Sequence, residues 1–196
     1  MLNLKAMPDV PLSFCTPRFS IRRYHLDDEE MLFEAASESI NEIRPFLPWC
    51  HPQYSIEDSR SWLLSIEPNW NDEQSYGFAI IDNESGKFMG GCGLNIIDVT
   101  PVANLGYWIR SSEVGKGVAS EATVGLLNFG FECLGLMRIE IMMSTQNEAS
   151  KKVAINAGAI FEGTLRNRLQ LHGVNHDALL YSLVPGDMIG AQLQQN

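Results

Sequence analysis

The run Val114-Gly-Lys-Gly-Val-Ala-Ser-Glu-Ala122 limits this chain's folding options more than any other stretch. Two glycines one residue apart stand between a strand pattern and an amphipathic helix pattern. After them, Val118, Ala122, Leu126, Phe129 and Cys133 recur every three or four positions and predict a helix over 118–133, closed by Gly135. Before them, Ala103–Arg110 alternates with aromatic and β-branched content and predicts a strand, with a loop over 111–114. Such a turn suits an anion. Glycine lets the backbone approach a ligand, and the helix N-terminus offers unpaired N–H donors and partial positive charge. A tight turn with no ligand would use the same residues.

The remaining patterns extend this unit to an α/β fold, a mixed sheet flanked by helices. Phe19–His25 alternates as a strand, and Asp27 to Glu30 start a helix carrying Met31, Leu32, Phe33, Ala35 and Ala36. Two shorter helical patterns lie between Ile40 and Glu67, broken by Arg44-Pro-Phe-Leu-Pro-Trp49, where the prolines enforce a turn. This segment reads either as a substrate wall formed by Phe46 and Trp49 or as a helix hairpin packed on the core. Tyr76–Asp82 and Lys87–Ile97 form an antiparallel pair, Arg138–Ser144 a further strand, and 148–157 a short helix ended by Gly158. Ala159–Leu169 and His176–Leu183 make a final pair.

With no repeat or linker-like stretch, the 196 residues read as one domain with its core at about 19–183 and loose ends before residue 15 and after Pro185-Gly186. The longest stretch without Asp, Glu, Lys or Arg is 12 residues, Pro45–Ile56, too short for a membrane helix. The N-terminus lacks an apolar run after a basic start, which points to the cytoplasm. Cysteines 15, 50, 92 and 133 have no ligand spacing and read as reduced core thiols, without metal. Fourteen basic against twenty-four acidic residues, a formal charge of −10, disfavour nucleic acid and favour a cationic partner.

Two familiar phosphate motifs fail. A P-loop needs Ser or Thr where Gly117 stands, and the dinucleotide fingerprint needs Gly or Ala where Ser120 stands. A second element, Asn147-Glu-Ala-Ser150, follows a strand and puts Asn147 and Ser150 on one helix face. Asn147 there is either a site residue or an N-cap.

In order, the strand, Gly-Lys-Gly-Val-Ala-Ser-Glu-Ala, the helix, the Arg-Ile-Glu strand, Asn-x-x-Ser-x-x-Val and Asn156-Ala-Gly-Ala-Ile-Phe-Glu-Gly-Thr-Leu-Arg166 resemble the GNAT superfamily of acetyl-CoA-dependent N-acetyltransferases. The branch that fits is the RimJ/RimL type, which acetylates N-termini of ribosomal proteins. The resemblance spans Phe19 to Leu183. It implies that Val114, Gly115, Lys116, Gly117, Val118 and Ala119 wrap the CoA pyrophosphate, and that Tyr107, Trp108 and Ile109 pair with the pantetheine arm. Asn147 and Ser150 would line the thioester end. A main-chain N–H near Ile109 would hold the oxyanion, and Ser150 would serve the leaving thiolate as its catalytic hydroxyl. Arg110, Lys116, Lys151 and Lys152 would supply positive charge for an anionic co-substrate.

This chain departs from the pattern twice. Ser112 stands where relatives often carry Gln or Arg, and Leu169 where some carry a Glu base. Glu42, Glu162, His172, His176 and Asp177 are the alternative bases or amine binders. A terminal α-amine of pKa about 8 costs about 1.4 kcal/mol to deprotonate at pH 7 against about 4.6 for a lysine, so it suits a site without a strong base. The implied acceptor is therefore a protein N-terminus. A small amine and a non-catalytic acyl-CoA-binding module are the rival readings, and either a monomer or a homodimer fits the sequence.

Overall fold

A computed structural model describes residues 10–97 and 101–188; the segment 1–9, which carried the localisation reading, and the end of the tail lie outside the described residues. The chain order is β1 (Ser13–Cys15), β2 (Phe19–Arg23), α1 (Glu29–Glu38), α2 (Ile40–Ile43), α3 (Ile56–Asn71), β3 (Ser75–Asp82), β4 (Phe88–Ile96), β5 (Val102–Ile109), α4 (Val118–Asn128), β6 (Arg138–Ser144), α5 (Glu148–Asn156), β7 (Ile160–Leu171) and β8 (Val174–Leu183). The strands form one sheet in the order β1-β2-β3-β4-β5-β6-β8-β7. Every neighbouring pair is antiparallel except β5 and β6.

Helices cover both faces of the sheet because each carries one apolar stripe. Helix α1 buries Leu32, Ala35 and Ala36, and α3 buries Ser59, Leu63, Ile66 and Trp70, spaced three or four residues apart. Helix α3 starts at a reciprocal cap: Asp58 Oδ2 accepts from the Ser55 N–H at 2.8 Å, and Ser55 Oγ accepts from the Asp58 N–H at 3.4 Å. It runs past Glu67 and through Pro68, which lies on its exposed side in the last turn. On the other face, α4 buries Val118, Ala122, Leu126 and Leu127, then passes into a π-helical turn at Phe129–Cys133. There the Leu134 N–H bonds the Phe129 carbonyl, and the chain leaves through Gly135 with φ +64°.

Two sequence expectations change. The region before Phe19 is not loose throughout: Ser13–Cys15 pairs with Ser20–Arg22 as an edge strand. Cys15 is therefore on the surface rather than in the core, whereas Cys50 and Cys92 are buried and Cys133 half-buried, all as free thiols. An exposed edge strand has too few apolar residues to show a period, which is why the pattern missed it. Among the described residues no helix is long and apolar enough to cross a membrane.

Candidate active site

The site begins where the sheet splits. Strands β5 and β6 pair only at Val102↔Arg138, Ala103↔Ile139 and Asn104↔Glu140. On the other side β5 stays paired with β4 up to Gly90↔Ile109. The Arg110 N–H bonds the Met89 carbonyl and the Ile97 N–H bonds the Val102 carbonyl, so the even-numbered residues of β5 direct their main chain at β4. Leu105, Tyr107 and Ile109 direct theirs the other way, into the gap left by β6. This is an open strand edge, able to hydrogen-bond an extended ligand as an added strand would.

At the end of that edge, a short turn over Ser111–Glu113 leads into Val114–Gly117 and then α4. Gly115 and Gly117 have φ +81° and +79°, a region other residues enter only with strain. The first intrahelical bond runs from the Glu121 N–H to the Gly117 carbonyl, leaving the N–H groups of Gly117, Val118, Ala119 and Ser120 without a helical partner. No side chain caps this terminus. The geometry of an anion cradle is thus present.

The charges around the cradle differ from the sequence expectation. Arg110 is not available to a ligand. Its guanidinium is buried and bonds Glu38, Glu34 and the Phe88 carbonyl, and it holds the Glu38 carboxyl down at about 2. Ser112 reinforces that cluster by donating to Glu38 from its N–H at 3.0 Å and its hydroxyl at 2.7 Å. Lys116 is paired with Glu113 at 2.9 Å, which also takes Lys87 at 2.6 Å. Lys151 lies 3.6 Å from Glu148, and Lys152 is exposed.

The cation that does reach the loop is Arg18, about 100 positions away in sequence. Glu121 accepts from Arg18 Nε at 2.6 Å, and the Lys116 carbonyl accepts from Nη1 at 3.0 Å. Among the described residues Nη2 has no hydrogen-bond partner, and it would sit 3.3 Å from a Cβ placed on Gly117. Nothing local in the sequence marks Arg18, because the contact exists only once β2 and α4 are packed.

Across the open edge, α5 brings up Asn147 and Ser150. Asn147 Oδ1 accepts from the Ser150 N–H at 3.0 Å, so it is the helix cap, with its amide nitrogen left over. Ser150 Oγ and the Tyr107 hydroxyl share a hydrogen bond at 2.9 Å. Burial pushes the Tyr107 hydroxyl up to about 12, so it stays protonated.

Trp108, the next residue, faces the opposite side. Two adjoining hollows of about 250 and 290 Å³ open there, sharing Trp49, Trp62 and Trp108. The floor of the larger one is bare backbone, since Gly77, Gly93 and Gly106 lie in register across three strands and Gly91 sits two residues along. Trp49 lines both hollows; beside it Leu47 lines the larger one, and Phe46 lines neither. The glycines at 91 and 93 were visible as an anomaly in a strand pattern, where they signal close approach of another group.

Several proposed bases are engaged elsewhere. Glu162 is held at about 2 by Arg138 and Ser182. Glu42 accepts from the Ser111 hydroxyl, Asp177 from the Asn167 N–H, and His172 bonds the Arg44 carbonyl. His176 pairs across the hairpin with Leu169. Among the described residues no cluster of His, Cys, Asp and Glu has the size to hold a metal ion.

Residues 18–160 match the acetyltransferase (GNAT) domain family. The chain belongs to the GNAT acetyltransferases. Their co-substrate is acetyl-CoA, so the chain is an acetyl-CoA-dependent N-acetyltransferase. An uncharacterised N-acetyltransferase of Bacillus licheniformis, p20, is 30% identical over 176 residues, covering 89% of this chain and 97% of that protein. The ribosomal-protein-serine acetyltransferase of Escherichia coli is 24% identical over 155 residues, 78% of this chain and 85% of that one. Mycobacterium smegmatis RimJ, solved in complex with CoA-disulfide, shares the fold at TM-score 0.81 and 19% identity, covering 94% and 96% of the two chains. The RimJ/RimL resemblance thus has counterparts in both sequence and structure. In this acetyltransferase, the open β5 edge and the glycine turn lie on one face of the sheet system, and the aromatic hollows on the other.

Proposed function

We propose that the enzyme transfers acetyl from acetyl-CoA to the α-amine of a protein N-terminus, with a ribosomal protein as the acceptor class. The observation that carries this reading is the unpaired edge Leu105–Ile109 leading straight into the unpaired donors of Gly117 to Ser120. That edge suits the amide-bearing pantetheine arm, and the helix terminus suits the pyrophosphate. Val114 to Ala119, with Arg18, would hold the phosphates.

Acetyl-CoA supplies an activated acyl group. The Ile109 N–H, already turned into the gap and held by a strand, offers a preorganised donor for the charge that grows on the carbonyl oxygen. Ser150 Oγ donates a hydrogen bond to the departing sulfur, with Tyr107 behind it as a buried, protonated partner. The proton that the thiolate finally carries comes from the attacking amine, either directly or through water. The carboxylates weighed as bases, Glu42, Glu162 and Asp177, are all engaged by other groups, and that fits an α-amine better than a lysine. The names of the relatives support a bacterial ribosomal substrate and, with it, action in the cytoplasm.

A small amine is the second reading, favoured by one contact. His172 at the β7–β8 turn bonds the Arg44 carbonyl at 2.8 Å, tying that turn to the segment after α2 that carries Leu47 and Trp49 of the hollows. The deciding experiment incubates the enzyme with acetyl-CoA and a panel of peptides and amines. Thiol release together with one added acetyl on a peptide N-terminus is the expected result. Release only with free amines replaces the first reading by the second.

A further inference from the structure

The smaller hollow has a composition that a purely apolar acceptor group does not explain. Trp49, Tyr54, Trp62 and Trp108 surround it with Leu32, and the remaining wall is a carboxylate, Asp58. The Trp49 ring stands at 67° to Trp108 and 63° to Tyr54, with centroids 5.6 and 5.7 Å away, so the rings form walls rather than a stack. Tyr54 is fixed in turn by a 2.9 Å hydrogen bond between its hydroxyl and Ser59.

Asp58 is a carboxylate with one oxygen to spare. Its Oδ2 takes the Ser55 N–H at 2.8 Å and the Ser55 hydroxyl at 2.9 Å, while Oδ1 has no partner among the described residues. These bonds hold its carboxyl below the usual range. The His51 Nε2 lies 3.6 Å away on the Oδ2 side. No Lys or Arg of the described residues lines the hollow.

An apolar side chain filling this space would strip water from Asp58 and give nothing back. A cation would meet the carboxylate and the negative faces of the indole and phenol rings together. The formal charge of −10 adds attraction at longer range.

Resting on the acceptor reading above, we propose that this hollow is a receptor for a second cation of the acceptor, a Lys or Arg side chain close to its N-terminus. The reacting amine itself is not the occupant. A cage that stabilises an ammonium keeps it protonated, and a protonated amine has no lone pair with which to attack. Trp108 lies next in sequence to both Tyr107 and Ile109, so the cage stands one strand thickness from the acyl site, and the cation it reads belongs to one of the first few acceptor residues.

The test uses peptides with a single lysine at the second, third or fourth residue and a parent with norleucine at all three. Binding to the CoA-loaded enzyme is followed by quenching of tryptophan fluorescence, and kcat/KM by thiol release from acetyl-CoA. One lysine position binds about tenfold tighter than the parent. In Asp58→Asn and in Trp62→Leu that ratio falls to about twofold or less. In Ser55→Ala, which weakens the α3 cap but keeps the carboxylate, the ratio persists. Equal binding of all four peptides, or a lysine preference that survives both pocket variants, overturns the proposal. A lysine peptide that binds selectively but is never acetylated upholds the cage and removes the N-terminal acceptor reading instead.

Discussion

Tyr107 and Trp108 are neighbours on β5, yet strand alternation sends them to opposite faces, and the two faces are built on different principles. The Tyr107 face, turned to α5, works through main-chain donors, two hydroxyls and a helix terminus. The Trp108 face works through ring surfaces, missing side chains on four glycines and one carboxylate. The first is suited to a ligand that does not vary, because backbone geometry carries the recognition. The second is suited to selection, since its character resides in side chains that can differ without disturbing the strand. On the proposed function, one strand separates a generic co-substrate site from a specific acceptor site.

The sharpest way to break this division is Gly117→Val. It forces a β-branched residue into φ +79° and presses a Cβ towards Arg18, so CoA affinity measured by calorimetry should fall about thirtyfold, with a thermal midpoint lower by only a few degrees. Unchanged affinity would detach the glycine turn from the co-substrate. Ser150→Ala should reduce turnover about tenfold and leave thermal stability nearly as it was, since Tyr107 loses one partner but α5 keeps its Asn147 cap. Full activity would make Ser150 purely structural.

Arg18→Ala tests the cation that sequence reading overlooked. The dissociation constant for CoA should rise about fivefold, and its dependence on salt should weaken, while acceptor KM stays level. On the other face, Gly106→Ala should raise acceptor KM about two- to threefold and spare CoA binding. Its new methyl meets nothing within 4 Å, so folding tolerates it. The smallest effect concerns pH. Glu38 and Glu162 have carboxyls lowered to about 2 from an ordinary 4.5, so their ion pairs stabilise the fold fully above about pH 4.5 and lose that contribution as pH falls towards 2. Thermal melts should be flat from pH 7 to 5 and decline below, with Glu38→Gln showing a shallower decline. An equal decline in that variant would remove Glu38 from the account.

Much of the scaffold is legible in the sequence. The period of α4, the glycine turn before it, the Asn147–Ser150 spacing and the alternation of β5 are local signals, and each appears where its residues indicated. The charges were read less well. Arg110 and Lys116 looked like phosphate ligands because their position beside the loop was visible, whereas Glu34, Glu38 and Glu113, which neutralise them, come into reach only on packing or through a short turn. Arg18 escaped notice for the converse reason.

The amino-acid order alone determined the element types, the turn that leaves α4 uncapped, and the face to which each β5 side chain points, because helix and strand periods and glycine conformations are local properties. Where β5 parts from β6, which acids capture which cations, and how Trp49, Tyr54, Trp62 and Trp108 meet around Asp58 were decided by the tertiary structure. Those depend on distances between residues far apart in the chain, and such distances exist only after the sheet has twisted and the helices have packed onto it.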